Sequence, residues 1–363
     1  MNGPLASVRV LDLSRLLPGP ACTWYLQGLG AAVDRVEVPG AGDFTRHVPP
    51  YVDGVGSYFA ALSRGKRSLA LDLRKPAAAG VIRRLLPHYD VLVEGFKPGV
   101  MEQMGLDPNA LVADFKGLVV ARISGYGQTG PWRDRPGHDV NYVGITGALS
   151  LGHADGSPLP VQVADLAGAM AAAMGIAAAL FDAQRTGNGR VLDVSLAEAA
   201  LSFVASQVTG FSTEGREPAP AGEVLTGGIP LYGTYRCADG KWLTVGALEP
   251  KFQAALASAA GSLGRPELEA VFLTRTRDTW VDLLADACTG EVLGMGEIAA
   301  HPHLAARGAV ERLGGTTWVR PPFADAPVPG AIPGVGEHTE QVLTEAGFDP
   351  AERAALRAAG VFG

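Results

Sequence analysis

The chain has 363 residues, 47% of them hydrophobic and 18% charged, enough apolar material for one large α/β unit or two domains. Its 37 acidic residues outnumber 30 basic ones, a formal net charge of −7, which argues against a protein that grips nucleic acid through its phosphates. Cys22, Cys237 and Cys288 are few and far apart, giving neither a disulfide framework nor a C-x-x-C metal pattern, so a reduced cytoplasm is the expected setting.

The opening stretch "MNGPLASVRVLDLS" lacks a basic segment followed by an apolar core, so no secretory signal is expected. Short runs rich in Val, Leu and Ile follow at 8–14, 33–38, 68–73, 90–96 and 117–127, each ending in polar residues or glycine. Helix-like segments at 20–30 and 77–89 lie between them. Strands alternating with helices predict a parallel sheet covered on both faces, with ligands at the carboxyl ends of its strands. The uncharged run "LAGAMAAAMGIAAALF", 166–181, is 16 residues long, short for a bilayer span, and reads as a buried helix rather than a membrane segment. Beyond residue 205 a Gly/Pro-rich stretch, 212–230, reads as a linker. Two strand-like runs in 232–248 flank Asp239-Gly240, a dipeptide favoured in hairpin turns. A second Pro-rich stretch spans 319–336, and two amphipathic helices close the sequence.

Several motifs carry candidate chemistry. "SGYGQTG" matches G-x-G-x-x-G at Gly125, Gly127 and Gly130, but Pro131 and Pro136 follow where a dinucleotide fingerprint must open a helix, so the glycines belong to a loop. That loop runs into "GHDVNY". Histidine is the residue type whose unperturbed pKa lies nearest neutrality, which suits His138 to proton transfer, and Gly137 permits close approach of the backbone; a surface turn with an incidental His-Asp pair accounts for the same residues. Arg64, Lys66, Arg67, Arg74 and Lys75 surround one strand and Lys97 ends the next, as a phosphate clamp or a solvated charged rim. Asp165, just before the alanine-rich run, is either a helix N-cap or a base or nucleophile in a cleft. The helix dipole would lower its pKa and an apolar cleft would raise it. Glu249, ending a strand before Pro250, is a cap or a carboxylate that orients a histidine. His47, His88, His153, His301, His303 and His338 show no metal-ligand spacing.

Taken in order, "VRVLDLSRLLPGP", "RGKRSLALDLRKP", "DVLVEGFKPGVMEQMGL", "ARISGYGQTGP", "GHDVNY", "ADLAGAM", "RTGNGRVLDVSLAEAA" and "YGTYRCADGKWLTVGALEPKF" resemble the family III CoA-transferase (CaiB/BaiF) superfamily, in particular its α-methylacyl-CoA racemase branch. The resemblance implies a Rossmann-like large domain with a parallel sheet plus a smaller α+β domain, in an interlocked homodimer. The expected divisions are 1–205 for the large domain, 206–224 and 306–335 for linkers, 225–305 for the small domain, and 336–363 for helices returning to the large one. It implies His138 and Asp165 as catalytic groups, with Glu249, from the partner chain, pairing with the histidine. In the transferase branch the aspartate matching Asp165 is a nucleophile that becomes acylated, and the histidine is typically absent.

CoA contacts carry over to Leu71, Asp72, Leu73 and Arg74, to Gly95, Phe96 and Lys97, and to Gly137, Asp139, Asn141 and Tyr142. Val38 and Gln103 stand where racemases place arginines, and Thr226 replaces an aspartate, which shifts the expected phosphate recognition to Arg64, Lys66, Arg67 and Arg74. CoA enters as part of an acyl-CoA substrate, with no metal or redox cofactor, no nucleic acid and no membrane. The alternatives are an acyl-CoA:carboxylate CoA-transferase acting through Asp165 and a non-catalytic acyl-CoA-binding homologue.

Overall fold

A computed structural model describes residues 3–152, 156–324 and 328–363; His153 lies outside them. The Val- and Leu-rich runs form strands β1 (Arg9–Asp12), β2 (Ala32–Glu37), β3 (Arg67–Ala70), β4 (Val91–Glu94) and β5 (Val119–Ser124), joined by β6 (Arg190–Ser195). All five pairings are parallel, in the order β3-β2-β1-β4-β5-β6. Neighbouring residues Val10 and Leu11 are both fully buried, as in a sheet covered on both faces. Strands β1, β3, β4 and β5 are shorter than their hydrophobic runs, and the overhanging carboxyl ends become loops beyond the sheet.

Helix α1 (Pro18–Gly28) starts with prolines in its first turn, where a missing N–H costs nothing. Helices α2 (Pro76–Leu85), α3 (Asp139–Gly144), α4 (Val163–Thr186) and α5 (Leu196–Leu201) follow. The expected buried helix is α4, which is longer than the apolar run and packs on α1, α5, β5 and β6. It is long and apolar enough to cross a membrane by length and composition, and it is only partly buried. One core cluster joins Leu11, Leu69, Leu92 and Val120 of the sheet to Val81, Ile82 and Leu85 of α2 and to Phe348.

Two compact units divide the chain. The first comprises Met1–Thr146, Pro160–Ser202 and Ala305–Gly363; the second comprises Gly147–Leu159 and Phe203–Leu304. In the second, the stretch read as a linker opens instead as helix α6 (Ala205–Glu214). Strands β7 (Tyr232–Arg236) and β8 (Trp242–Gly246) then pair antiparallel about Asp239-Gly240, with Gly240 at φ 77°. Strand β9 (Thr289–Val292) adds to the other edge of β8. Helices α7 (Pro250–Ala260), α8 (Arg265–Phe272) and α9 (Arg277–Leu283) enclose a core of Tyr235, Leu243, Leu256, Phe272 and Trp280. The closing helices α10 (Thr339–Glu345) and α11 (Pro350–Ala358) belong to the first unit. There the edge strand β3 receives Thr339, whose Oγ1 accepts from Ala70 N at 2.9 Å, and Val361, whose carbonyl accepts from Asp72 N at 2.7 Å.

Four buried charges tie the carboxyl ends of β1 and β2 together. Arg35, 1% exposed, donates to Asp43 Oδ2 at 2.5 Å and to Ser63 Oγ at 2.7 Å. The same Asp43 carboxylate accepts from Leu16 N at 3.0 Å and Thr45 N at 2.7 Å, pinning the loops after both strands. Beside it Glu37 accepts two bonds from Arg46, at 2.7 and 2.6 Å. Removing one partner of such a pair leaves an uncompensated buried charge, so Asp43→Ala is expected to lower unfolding free energy by about 3–5 kcal/mol. Urea denaturation checks this; a midpoint equal to the parent's would show that the pair does not hold these loops.

Candidate active site

The strand order reverses direction between β1 and β4, and a parallel sheet opens a crevice at that point beyond its carboxyl ends. A cavity of about 740 Å³ lies there. Its walls come from the loops after four strands: Leu13–Leu16 after β1, Val38 and Phe44 after β2, Leu71–Arg74 after β3 and Phe96 after β4. The sequence-predicted segments Leu71, Asp72, Leu73, Arg74 and Phe96 are thus brought together, with Gly95 beside Phe96. Phe96 N donates to Glu94 Oε2 at 2.7 Å, which fixes the turn that presents the phenyl ring. Lys97 follows, exposed. The walls at Arg15, Leu16, Phe44 and His47 carried no signal in the sequence, because they meet the others only when the strands align.

The four cations expected at the phosphates separate. Arg74 stands at the cavity with an exposed guanidinium, held by Asp72 through Nε–Oδ1 and Nη2–Oδ2 bonds of 2.8 and 3.0 Å. Lys66 does not line the cavity. It is 3% exposed and turned inward, its ammonium donating to Pro20 O at 2.9 Å and Thr23 Oγ1 at 2.7 Å. Burial pulls its pKa down to about 7, partly opposed by Asp12. Arg67 is tied to Asp34 and Glu345, and Arg64 to Gly330 O with its guanidinium over Trp318. Neither lines the cavity.

The His138 loop is built around Tyr142. Its hydroxyl donates to Gly137 O, and its ring stands edge-on to Tyr126 at 5.1 Å, which in turn stands edge-on to Trp132 at 5.3 Å. A Cβ at Gly125 would sit 2.3 Å from the Tyr142 ring, and one at Gly137 would sit 2.7 Å from it. The closely approaching group that Gly137 admits is therefore the chain's own tyrosine. Residues 126–137 form no helix, as the prolines predicted. His138 is exposed and forms the N-cap of α3, its N–H donating to Asn141 Oδ1 at 3.0 Å. A second cavity, about 390 Å³, opens beside this loop between Tyr126–Trp132 and Asp193–Glu198.

Asp165 is not a cap. Gln162 is the N-cap of α4, without a side-chain bond to the helix, and Asp165 sits three residues further on. Its backbone N–H donates to Asp139 Oδ1 at 3.0 Å, so the residue after His138 reaches the start of α4. Burial first, and then the negative charge of Asp139, push the Asp165 carboxyl up to about 7, so the apolar surroundings outweigh the helix dipole. Glu249, in the second unit, is the exposed N-cap of α7 and makes no side-chain cap bond. Among the described residues no group of three or more His, Cys, Asp or Glu stands in a metal-holding arrangement.

The first unit thus combines a parallel sheet, a cavity at its strand-order reversal and a raised carboxyl beside the His138 loop. The model of CoA-transferase family III matches residues 5–346, and the chain belongs to that family. It is 36% identical to the α-methylacyl-CoA racemase of Homo sapiens over 377 aligned residues, covering 96% of this chain and 94% of the relative. It is likewise 36% identical to the succinyl-CoA–D-citramalate CoA-transferase of Chloroflexus aurantiacus over 269 residues, 73% of this chain and 66% of that one. A crystal structure of a CaiB/BaiF family protein from Brucella suis superposes with a TM-score of 0.83 at 28% identity, covering 95% of this chain and all of that one.

A carboxyl whose pKa rises on folding binds more protons folded than unfolded. Its ionisation therefore opposes folding, and stability falls as pH climbs from its ordinary 3.8 towards about 7. Asp165→Asn is expected to unfold about 1–3 kcal/mol higher than the parent at pH 8, the gain vanishing near pH 4. Thermal melts across that range check it; equal melting at pH 8 would mean that Asp165 is solvated.

Proposed function

We propose that the chain is an α-methylacyl-CoA racemase, inverting C2 of 2-methylacyl-CoA thioesters. The observation that carries the reading is a carboxyl, Asp165, poised between acid and base near neutral pH and joined to the His138 loop through Asp139. An α-proton of a thioester is weakly acidic, so its removal requires a positioned base, and inversion requires a second group to return a proton on the other face. One group takes the proton, the electrons of the C–H bond pass to the thioester carbonyl as an enolate, and the other group reprotonates the carbon. A pKa near 7 suits Asp165 for both directions. In a second reading Asp165 attacks the thioester carbonyl and expels the CoA thiolate, forming an acyl-aspartyl anhydride. That second reading keeps support from the Chloroflexus relative, named as a CoA-transferase. A homologue that only binds acyl-CoA would exchange no α-proton.

In this reading CoA lies along the crevice at Leu71–Arg74 and Gly95–Lys97, and CoA belongs to the substrate, so no redox cofactor takes part. Glu249 comes from the partner of an interlocked homodimer and orients His138. Exposed Met170, Met174 and Phe181 on α4, at 54%, 73% and 63%, support a partner against that helix.

Incubation with 2-methylacyl-CoA in deuterated water, read by mass and chirality, tests the assignment. His138→Ala should abolish net epimerisation yet leave deuterium entering the epimer that Asp165 deprotonates, and Asp165→Ala should leave the converse epimer. Acyl transfer between CoA donors by His138→Ala, lost in Asp165→Ala, would establish the transferase instead. Arg74→Ala and Lys97→Ala should each raise KM more than they lower kcat, as loss of a binding contact requires. CoA binding by calorimetry that ignores both substitutions would place the CoA moiety elsewhere.

A further inference from the structure

Helix α4 begins without the usual means of satisfying its free amides. The first four N–H groups of a helix have no partner within it, and a capping side chain normally takes one of them. Gln162 makes no such bond. The acceptor comes from another helix, as Asp139 Oδ1 receives the N–H of Asp165 at 3.0 Å. Asp139 is the first residue of α3 and directly follows His138, whose own N–H is held by Asn141. One carboxylate therefore fixes the backbone of one proposed acid–base group while standing next in sequence to the other. It also brings a second negative charge to a half-buried carboxyl.

We propose that Asp139 is a positioning residue: it caps α4 from α3, holds Asp165 at a set distance from the His138 loop, and sets its own carboxylate beside that of Asp165. This rests on the racemase reading of Asp165 and His138. The groups around Asp165 are consistent with it. From α3, Asp139 and Tyr142 are the titratable neighbours, and the phenol of Tyr142 is itself pushed up to about 12 by burial and then by Asp165. The other elements packed on α4 bring Cys22 and Tyr25 (α1), Glu198 (α5), Arg122 (β5), and Arg190 and Asp193 (β6). None of these is among the causes of the Asp165 shift, which are burial and Asp139.

The two roles separate in two variants. Asp139→Asn keeps an oxygen to accept the Asp165 N–H but removes the charge, whereas Asp139→Ala removes both. Titration of carboxyl-13C-aspartate-labelled full-length protein by NMR, with the Asp165 signal assigned through Asp165→Asn, reads the carboxyl without any turnover. In Asp139→Asn the Asp165 midpoint should fall by roughly one pH unit with the melting temperature held. The pH profile of α-proton exchange should move the same way. Asp139→Ala should show the same fall together with a lower melting temperature.

An unchanged midpoint in Asp139→Asn would reduce Asp139 to a helix cap, and an unchanged melting temperature in Asp139→Ala would remove the cap as well. If the asparagine variant fails to fold, Asp139→Ser, with a shorter uncharged acceptor, takes its place. Absence of exchange in the parent protein would sink the racemase reading alone, because the NMR midpoint reports on Asp139 whatever the reaction.

Discussion

Parallel pairing of β1 with β2 on one side and β4 on the other is the constraint from which the ligand cavity follows. Parallel strands must all end on the same edge of the sheet, so four loops far apart in sequence arrive together beyond it. The reversal of strand order leaves those loops diverging rather than covering one another, and the gap is the cavity. The ion pairs of Arg35 with Asp43 and of Arg46 with Glu37 keep the gap walled. They are buried beneath it, and two of its walls hang from a single carboxylate. Such pairs contribute little net stability compared with an apolar core. Their value here lies in fixing where the loops stand.

Much of this could be read from the residues. Five of the six strands announced themselves, because strands buried on both faces need unbroken Val and Leu, and the prolines after Gly130 excluded a dinucleotide turn. The sixth, Arg190–Ser195, hid because an edge strand between helices is half exposed and carries Arg190 and Asp193 among its apolar residues. His138 and Asp165 stood out by residue type and by family resemblance. What could not be read was direction. A run of arginines and a lysine looks alike whether the side chains point to ligand or to neighbours, and Lys66 is drawn inward by the acceptors at Pro20 and Thr23 and by the charge of Asp12. Which of its two roles Asp165 takes was hidden for a related reason: it has the residue type of a cap, but it lies three residues past the N-cap Gln162 and donates its N–H to Asp139.

The two candidate acid–base groups differ in how tightly the fold holds them. Asp165 sits in the first turn of a 24-residue helix packed on two strands and three helices, half-buried, with its amide fixed. His138 is exposed at the head of a six-residue helix, held by its backbone rather than its ring. Burial sets the chemistry of the first, whereas contact with substrate or with a further carboxylate must set the second.

Tyr142 and the glycines at 125 and 137 form one steric unit. The ring occupies the volume that two Cβ atoms would otherwise claim, so neither glycine is needed for its backbone freedom. Both are required only while an aromatic ring fills the third position. Among related chains the three positions are therefore bound to vary together. A larger residue at 125 or 137 can be tolerated only where residue 142 has shrunk, and its loop then loses the stack through Tyr126 to Trp132 that now braces it.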